Sequence, residues 1–572
     1  MDEELIRKYA IKNAIDYGKA SVPSVLGKVI SKLGNDEKGN IQDIKAKVMI
    51  VVEQVNKEPR SKIEQEYQAY KDEFEKEEKI KVEQTAKPKM VLENAVYGSF
   101  ATRYAPEPNG YMHIGNAKAA ILAEEFAKIY NGKIFLYFDD TNPEKERSEY
   151  VQAMHDDTSW LGIKFSGEYY ASDNIETIYK YAEQAIANGK AYVCTCTPEQ
   201  MKKDRFDMHE CVHRSQSPET NAELFRKMLS GGFEEGEAVL RFKGDMHAQN
   251  TVMRDPTIMR IKKHEHYRQG NKYIVWPTYD FNTPIMDSIH GITDPIRSKE
   301  YELRNELYYA VLDAIGLRKP TMHLEARLVI KNNITHKRVL KTLISEGKLS
   351  GYDDPRLVTI ASLKRRGIQP QAIREFVLRF GMSKVDSKVS LSMLLDENRG
   401  IIDPIAKRLF YVEEPVKVVV KDAVPQSISL KMHPTSNLGT RNYNIGNTFY
   451  ISKSDANMKE GEIVRLKDLY DIRIESADGN GIVATMSKSQ GSQQVRKIQW
   501  VADGSNERCT ILIPGDPLND NGTFNPDSLT ESKGLIESAI SSMPKGTILQ
   551  LERFGYAIID DPESKRLIFI SK

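Results

Sequence analysis

The sequence predicts a multidomain α/β protein: a doubly wound parallel sheet at the centre, a helical stretch before it and an all-β tail behind it. Three observations carry that prediction. A strand–helix–strand pattern runs from Val96 to Phe138, and residues 1–93 are highly charged with apolar positions at helical spacing. From Val416 onward, short alternating runs are separated by Gly, Asn and Asp turns.

Length and composition bound the rest. A chain of 572 residues exceeds one hydrophobic core, so about two to four domains are expected. With 40% hydrophobic and 28% charged residues it reads as soluble and globular. No apolar run reaches membrane-span length, and the acidic start Met1-Asp2-Glu3-Glu4 is unlike a signal peptide, so no membrane role and a cytoplasmic location are expected. The formal charge of +1 requires that any nucleic-acid role use locally segregated Lys and Arg. Four cysteines exclude a disulfide scaffold, and three of them lie close together, which points to metal.

In chain order, Ile6, Ala10, Ala14 and Tyr17 keep helical spacing, and the Glu- and Lys-rich run from Glu64 to Lys81 reads as a solvated helix or linker. Val96–Thr102 is a weak strand interrupted by Gly98, and Lys133–Phe138 is a strong one. The helix between them places Ala119, Leu122, Phe126 and Ile129 on one face and stops at Asn131-Gly132. Residues 346–412 read as helical again. Val416–Lys421, Asn447–Ile451 and Gly461–Leu466 read as strands of a tail large enough for one or two small barrels.

The loop Thr102-Arg-Tyr-Ala-Pro-Glu-Pro-Asn-Gly-Tyr-Met-His-Ile-Gly-Asn116 joins the first strand to the helix. Two prolines and Gly110 force it out of regular structure, and the helix should start near His113. A helix N-terminus at the carboxyl edge of a parallel sheet is where phosphate binds. His113 and Asn116 would add side-chain donors there, and Gly115 would let a nucleotide approach the backbone. Arg103 and Asp139 each end a strand, at that same edge.

The run from Arg103 resembles the class I aminoacyl-tRNA synthetases, specifically the glutamyl and glutaminyl branch. That branch has an Arg-(Phe/Tyr)-(Ala/Pro)-Pro-x-Pro-x-Gly stretch leading into His-Ile-Gly-His. This chain departs at the last position, where Asn116 stands for the second His. The branch's second signature, Lys-Met-Ser-Lys-Ser, has two decoys at Gly381-Met-Ser-Lys384 and Thr485-Met-Ser-Lys-Ser489. The counterpart is Ala326-Arg-Leu-Val-Ile-Lys-Asn-Asn-Ile-Thr-His-Lys-Arg338, with Arg327 and Lys337 ten positions apart and Thr335-His336 in place of Met-Ser. Its continuation, Gly351-Tyr-Asp-Asp-Pro-Arg-Leu357, resembles the branch's Gly-Trp-Asp-Asp-Pro-Arg-Leu. Phe138-Asp-Asp-Thr-Asn-Pro143, Tyr279 in Trp276-Pro-Thr-Tyr-Asp-Phe281, and Arg297 in Gly291-Ile-Thr-Asp-Pro-Ile-Arg297 resemble its amino-acid pocket.

The resemblance implies a Rossmann-like catalytic domain with a zinc-containing insert, a helical linking domain and anticodon-binding barrels. The boundaries expected are 1–93, 94–190, 191–275, 276–345, 346–415 and 416–572: appendix, first catalytic half, acceptor-stem insert, second catalytic half, stem-contact domain and barrels. It implies catalytic roles for His113, Asn116 and Lys337, and ATP contacts from Glu107, Gly115, Arg327, Leu328 and Lys337. It implies glutamate contacts from Arg103, Asp139, Tyr279 and Arg297, with Asp139 taking the ammonium; which arginine holds which carboxylate stays open. Glutamyl enzymes carry an Arg at the place of Arg297, where glutaminyl enzymes have an uncharged residue. The segment Ile6–Gly18 resembles the N-terminal appendix of archaeal glutamyl enzymes.

The implied reaction joins L-glutamate to tRNA(Glu) through a glutamyl-adenylate, with ATP and Mg²⁺; charging of tRNA(Gln) stays open. Two alternatives remain: a glutaminyl enzyme, which the Pro-Glu-Pro-Asn-Gly wording also fits, and a non-catalytic tRNA-binding paralogue. Cys194-Thr-Cys196 and Cys211-Val-His213 suit tetrahedral structural Zn²⁺, with His209 a rival fourth ligand. Cys509 reads as a small buried hydrophobe.

Overall fold

The computed structural model describes residues 3–32, 41–85, 90–383, 385–478, 481–487 and 495–572. The chain divides into two units, Met1–Lys87 and Pro88–Lys572.

The described residues of the first unit hold four helices: α1 (Glu3–Tyr17), α2 (Val22–Lys32), α3 (Ile41–Lys57) and α4 (Arg60–Thr85). Ile6, Ala10 and Ala14 are buried as their spacing predicts, together with Tyr9 and Ile11 on neighbouring positions. Tyr17 is 79% exposed, so the buried stripe of α1 stops one turn earlier than expected. Val25 and Val29 of α2, Val48, Val51, Val52 and Val55 of α3, and Phe74 of α4 complete this core. Arg7 bonds Glu58 and Glu66, each at 2.8 Å.

The second unit begins with strand β1 (Ala101–Tyr104), helix α5 (Ile114–Ile129), β2 (Lys133–Phe138), α6 (Ser148–Trp160) and β3 (Gly167–Tyr170). The three strands are parallel, with Arg103 opposite Phe135. The predicted βαβ unit is therefore present. Its first strand starts later than predicted, because Gly98 takes φ +79° and Val96 is 61% exposed in a turn. The stop at Asn131-Gly132 has a steric reason. Asn131 has φ +50°, and a Cβ on Gly132 would lie 2.2 Å from the Phe100 carbonyl oxygen. Leu122 and Phe126 are buried, but Ile129 is 39% exposed and Ala119 half-buried. The buried set instead includes Ala117, Ala120, Ile121 and Ala123, since α5 is covered by the sheet on one side and by helix Pro370–Leu378 on the other.

On the far side of β1 lies a second parallel pair, Ile296–Ser298 with His323–Glu325. The Thr293 N–H donates to the Ala101 carbonyl at 2.9 Å, and the Ala101 N–H returns a bond to Thr293 Oγ1 at 2.8 Å. From β1 the chain first runs outward to β2 and β3, then returns to its other side. That reversal makes the carboxyl end of β1 a topological switch point, where doubly wound folds bind ligands.

Between the halves sits a four-stranded antiparallel sheet of Ala191–Cys194, Val239–Phe242, Thr257–Ile261 and Val275–Pro277. The segment 346–412 is only partly helical. Helices Ile360–Arg365, Pro370–Leu378 and Ser392–Ile402 are present, but Ser387–Val389 pairs in parallel with Leu328–Ile330. Pro404 follows the last helix, and Lys407–Leu409 and Tyr411–Glu413 already join the tail sheet. The described residues of the tail form two seven-stranded sheets, built around Asn506–Pro514 with Leu529–Glu537 and around Pro415–Val420 with Thr448–Ser452, and a two-stranded one, Gln426–Lys431 with Thr440–Ile445. Of the decoys, Gly381–Met382 is a turn and Thr485–Met486 ends a strand; Lys384, Lys488 and Ser489 lie outside the described residues. Among the described residues no helix is long and apolar enough to cross a membrane.

Candidate active site

A cleft of about 860 Å³ opens at the switch point. His113, Asn116, Lys337, Glu107, Gly115, Arg327, Leu328, Arg103, Asp139, Tyr279 and Arg297 all line it. The sequence spreads these residues over more than two hundred positions; the fold collects them at one edge of the sheet.

His113 is the N-cap of α5, in an extended conformation. Its Nδ1 accepts the Gly115 N–H at 3.0 Å, and Asn116 Oδ1 accepts the His113 N–H at 3.1 Å, a reciprocal capping box. Burial, with Lys337 adding repulsion, pushes the imidazole down to about 4. The ring is therefore neutral near pH 7, with its proton assigned to Nε2 because Nδ1 is an acceptor. Both His113 Nε2–H and the Asn116 amide hydrogens remain available to donate. Gly115 also has a local steric role. A Cβ there would sit 2.9 Å from His113 Cε1, so the glycine first makes room for the imidazole. Segment 358–360 clamps the loop: the Ile114 N–H donates to the Val358 carbonyl and the Ile360 N–H to the Met112 carbonyl. Tyr352 stacks on Tyr111 with ring centroids 4.3 Å apart.

Lys337 opens helix Lys337–Ser345, and its amine donates to Asn109 Oδ1. Its stem packs on Gly110, where a Cβ would lie 3.0 Å from Lys337 Cδ. Burial lowers its pKa against the opposing pull of Glu107. Arg327 is half exposed and pairs with Glu300 at 2.7 Å. Leu328 is buried at the start of its strand. Lys118 of α5 bonds the Ala326 carbonyl and pairs with Glu325 at 3.2 Å, tying this strand to the helix.

The end of the cleft away from Lys337 contains two arginines in opposite electrostatic states. Arg103 makes a buried bidentate pair with Asp287, at 3.0 and 3.1 Å, and donates to the Ile296 carbonyl at 2.9 Å. Arg297 is 6% exposed and, among the described residues, has only neutral hydrogen-bond partners: the Tyr279 hydroxyl at 3.4 Å and Asn305 Oδ1. Its Nε is buried without a partner. Tyr279 opens helix Tyr279–Ile289 and lies against Tyr301, centroids 4.8 Å apart. Asp139 accepts from Asn282 Nδ2 at 2.7 Å. Burial and the nearby Glu107 push it up to about 7, despite Arg260 and Arg103.

Sequence reasoning missed several lining groups. Arg260 projects from the insert strand Thr257–Ile261, and burial lowers its pKa against Asp139, Glu146 and Glu107. Glu146 is 1% exposed and pushed up to about 9. A single arginine inside the run Thr257-Ile-Met-Arg-Ile261 was a readable signal for the first. Asn282, one helical turn after Tyr279, was readable for the Asp139 partner.

In the insert, the ligand atoms of Cys194, Cys196, Cys211 and His213 all lie within 4.8 Å of one another. Cys211 Sγ is 3.6 Å from both other thiols, and His213 Nδ1 is 3.3 Å from Cys211 Sγ and 3.5 Å from Cys196 Sγ. Tetrahedral Zn–S bonds of about 2.3 Å require such spacings, so the set fits a metal ion with no open position. His213 Nε2 meets Thr195 Oγ1 at 3.0 Å, an outer contact that orients the ring. His209 is outside the cluster. Cys509 is buried alone in the tail core.

A Rossmann-like switch-point cleft with a helix N-terminus at one end and an arginine–aspartate pocket at the other defines a class I synthetase site. Residues 99–398 match the family described as tRNA synthetases class I (E and Q), catalytic domain, and residues 406–489 and 497–560 match its two anti-codon binding domains. The chain belongs to that family, the class I tRNA synthetases for E and Q. It is 39% identical to the glutamate–tRNA ligase of Nitrosopumilus maritimus, over 97% of this chain and 98% of that one. It is 38% identical to the glutamate–tRNA ligase of Pyrococcus furiosus over 99% of both chains, and 36% identical to that of Korarchaeum cryptofilum over 98% and 97%.

Proposed function

We propose that this chain activates L-glutamate with ATP as the glutamyl-adenylate and transfers it to tRNA(Glu). The observation that carries the choice of amino acid is Arg297, a buried guanidinium with no carboxylate partner among the described residues. An uncompensated buried charge is costly unless a ligand supplies the counter-ion, and a carboxylate does so where a carboxamide cannot. In this reading Arg297 holds the side-chain carboxylate and Asp139 takes the ammonium. Arg103, already neutralised by Asp287, orients the α-carboxylate with its remaining N–H groups.

The α-carboxylate oxygen attacks the α-phosphorus in line, and pyrophosphate leaves. His113 Nε2–H and the Asn116 amide donate to the α-phosphate as charge develops there, and Lys337 steadies the departing phosphates. Glu107, Gly115, Arg327 and Leu328 border the nucleotide. Mg²⁺ would be held mainly by the phosphates, with no residue of this chain named as its ligand. A terminal ribose hydroxyl of tRNA then displaces AMP. Segment 191–275 contacts the acceptor stem, 346–415 a stem of the tRNA, and 416–572 the anticodon. The Cys194, Cys196, Cys211 and His213 set holds a structural Zn²⁺, and the tRNA partner supports a cytoplasmic location.

Pyrophosphate exchange with glutamate or glutamine, with and without tRNA, tests the reading. Exchange that depends on glutamate supports it. A faster rate with glutamine identifies a glutaminyl enzyme, and none with either amino acid identifies a non-catalytic paralogue.

A further inference from the structure

Asn305 is the first residue of helix Asn305–Ala314 and the side chain that meets Arg297 Nη2. Two acids of the neighbouring helix Tyr279–Ile289 are engaged elsewhere. Asp287 is committed to Arg103 and accepts from the Tyr308 hydroxyl at 3.1 Å, and Asp280 pairs with Arg304. Tyr308 contributes only its ring, 5.3 Å below the Arg297 guanidinium. The position of Asn305 would suit an acid. A carboxylate is favoured at a helix N-terminus, and aspartate differs from asparagine only by oxygen in place of the amide nitrogen. The amide oxygen therefore fixes the guanidinium by a hydrogen bond without cancelling its charge.

We infer that Asn305 is a positioning residue, acting through Arg297, whose neutrality sets the preference for an anionic over an uncharged amino-acid side chain; this rests on the proposal that glutamate is the substrate. With aspartate at 305, the guanidinium would be satisfied before substrate arrived. A glutamate carboxylate would then share one cation with a second anion, whereas a carboxamide would gain an acceptor for its N–H groups. Removing the side chain has a different signature: Arg297 loses its orientation but keeps its charge.

The test is aminoacylation of tRNA(Glu) by the full chain with labelled glutamate or glutamine, comparing wild type, Asn305→Asp and Asn305→Ala. Asn305→Asp should lower the glutamate-to-glutamine ratio of kcat/KM by about a hundredfold, carried mainly by KM for glutamate. Asn305→Ala should weaken both substrates while leaving the ratio within about tenfold of wild type. Asn305→Glu brings the same charge on a longer chain and must move the ratio in the direction of Asp. Thermal melts of each variant report whether the helix start is intact. A wild type that prefers glutamate, with a ratio unchanged in Asn305→Asp or shifted equally in Asn305→Ala, overturns this inference alone. A wild type that prefers glutamine overturns the glutamate reading and this inference with it.

Discussion

Arg103 and Asp287 form a buried bidentate ion pair across 184 positions of sequence, at 3.0 and 3.1 Å. Removing one partner strands the other charge in the core. Arg103→Leu should cost about 3–5 kcal/mol of stability, read as a fall in the denaturant midpoint of the full chain. Adding Asp287→Asn should restore much of it, because the double variant leaves no orphaned charge. Equal destabilisation by single and double variants would mean that the pair is not a unit.

Gly115 owes its identity to the imidazole beside it. Gly115→Ala should displace His113 without melting α5, since no positive φ is required there. Glutamate-dependent pyrophosphate exchange should fall about a hundredfold in kcat, with a smaller change in KM for ATP. His113 itself, held down to about 4, should add no inflection to the rate between pH 6 and 8.

Asp139 should make glutamate binding pH-dependent. Its pKa in the free protein is raised to about 7, and an ammonium ion prefers the carboxylate form. Below pH 7 the proton must leave before substrate binds. Affinity should therefore weaken about tenfold per pH unit as pH falls below 7, and level off above it. Asp139→Asn should abolish that slope and bind weakly at every pH, as read by calorimetric titration.

The cluster in the insert should carry stoichiometric metal. Cys211→Ser should lose it, because Cys211 lies within 3.6 Å of the three other ligand atoms, while Cys509→Ser should retain it. Metal analysis of purified chains reads the difference, and strong chelators should lower the melting temperature of wild type towards that of Cys211→Ser.

Residues whose signal is local were legible in the sequence. The loop Arg103–Asn116 lies between a strand and a helix, and its prolines and glycines announce an irregular backbone at the place where β1 ends. The spacing of Cys194, Cys196, Cys211 and His213 likewise marks a metal cluster. Partners that meet only in three dimensions left no such trace. Asp287 and Asn305 are the side-chain partners of Arg103 and Arg297, yet each sits in an ordinary amphipathic helix. Glu146 owes its raised pKa first to burial, and its carboxylate lies 3.5 Å from His266, distant in sequence. Element ends also shifted where packing overrode pattern: the Val96 strand yielded to a turn at Gly98, and the helical reading of 346–412 missed a strand that pairs across to Leu328–Ile330.

The most direct measurement is charging of separated tRNA(Glu) and tRNA(Gln) with labelled glutamate and labelled glutamine. The uncompensated Arg297 predicts that glutamate is charged onto tRNA(Glu) with kcat/KM about a thousandfold above that for glutamine. Any charging of tRNA(Gln) should also use glutamate. Glutamine charged faster than glutamate on either tRNA would contradict the account.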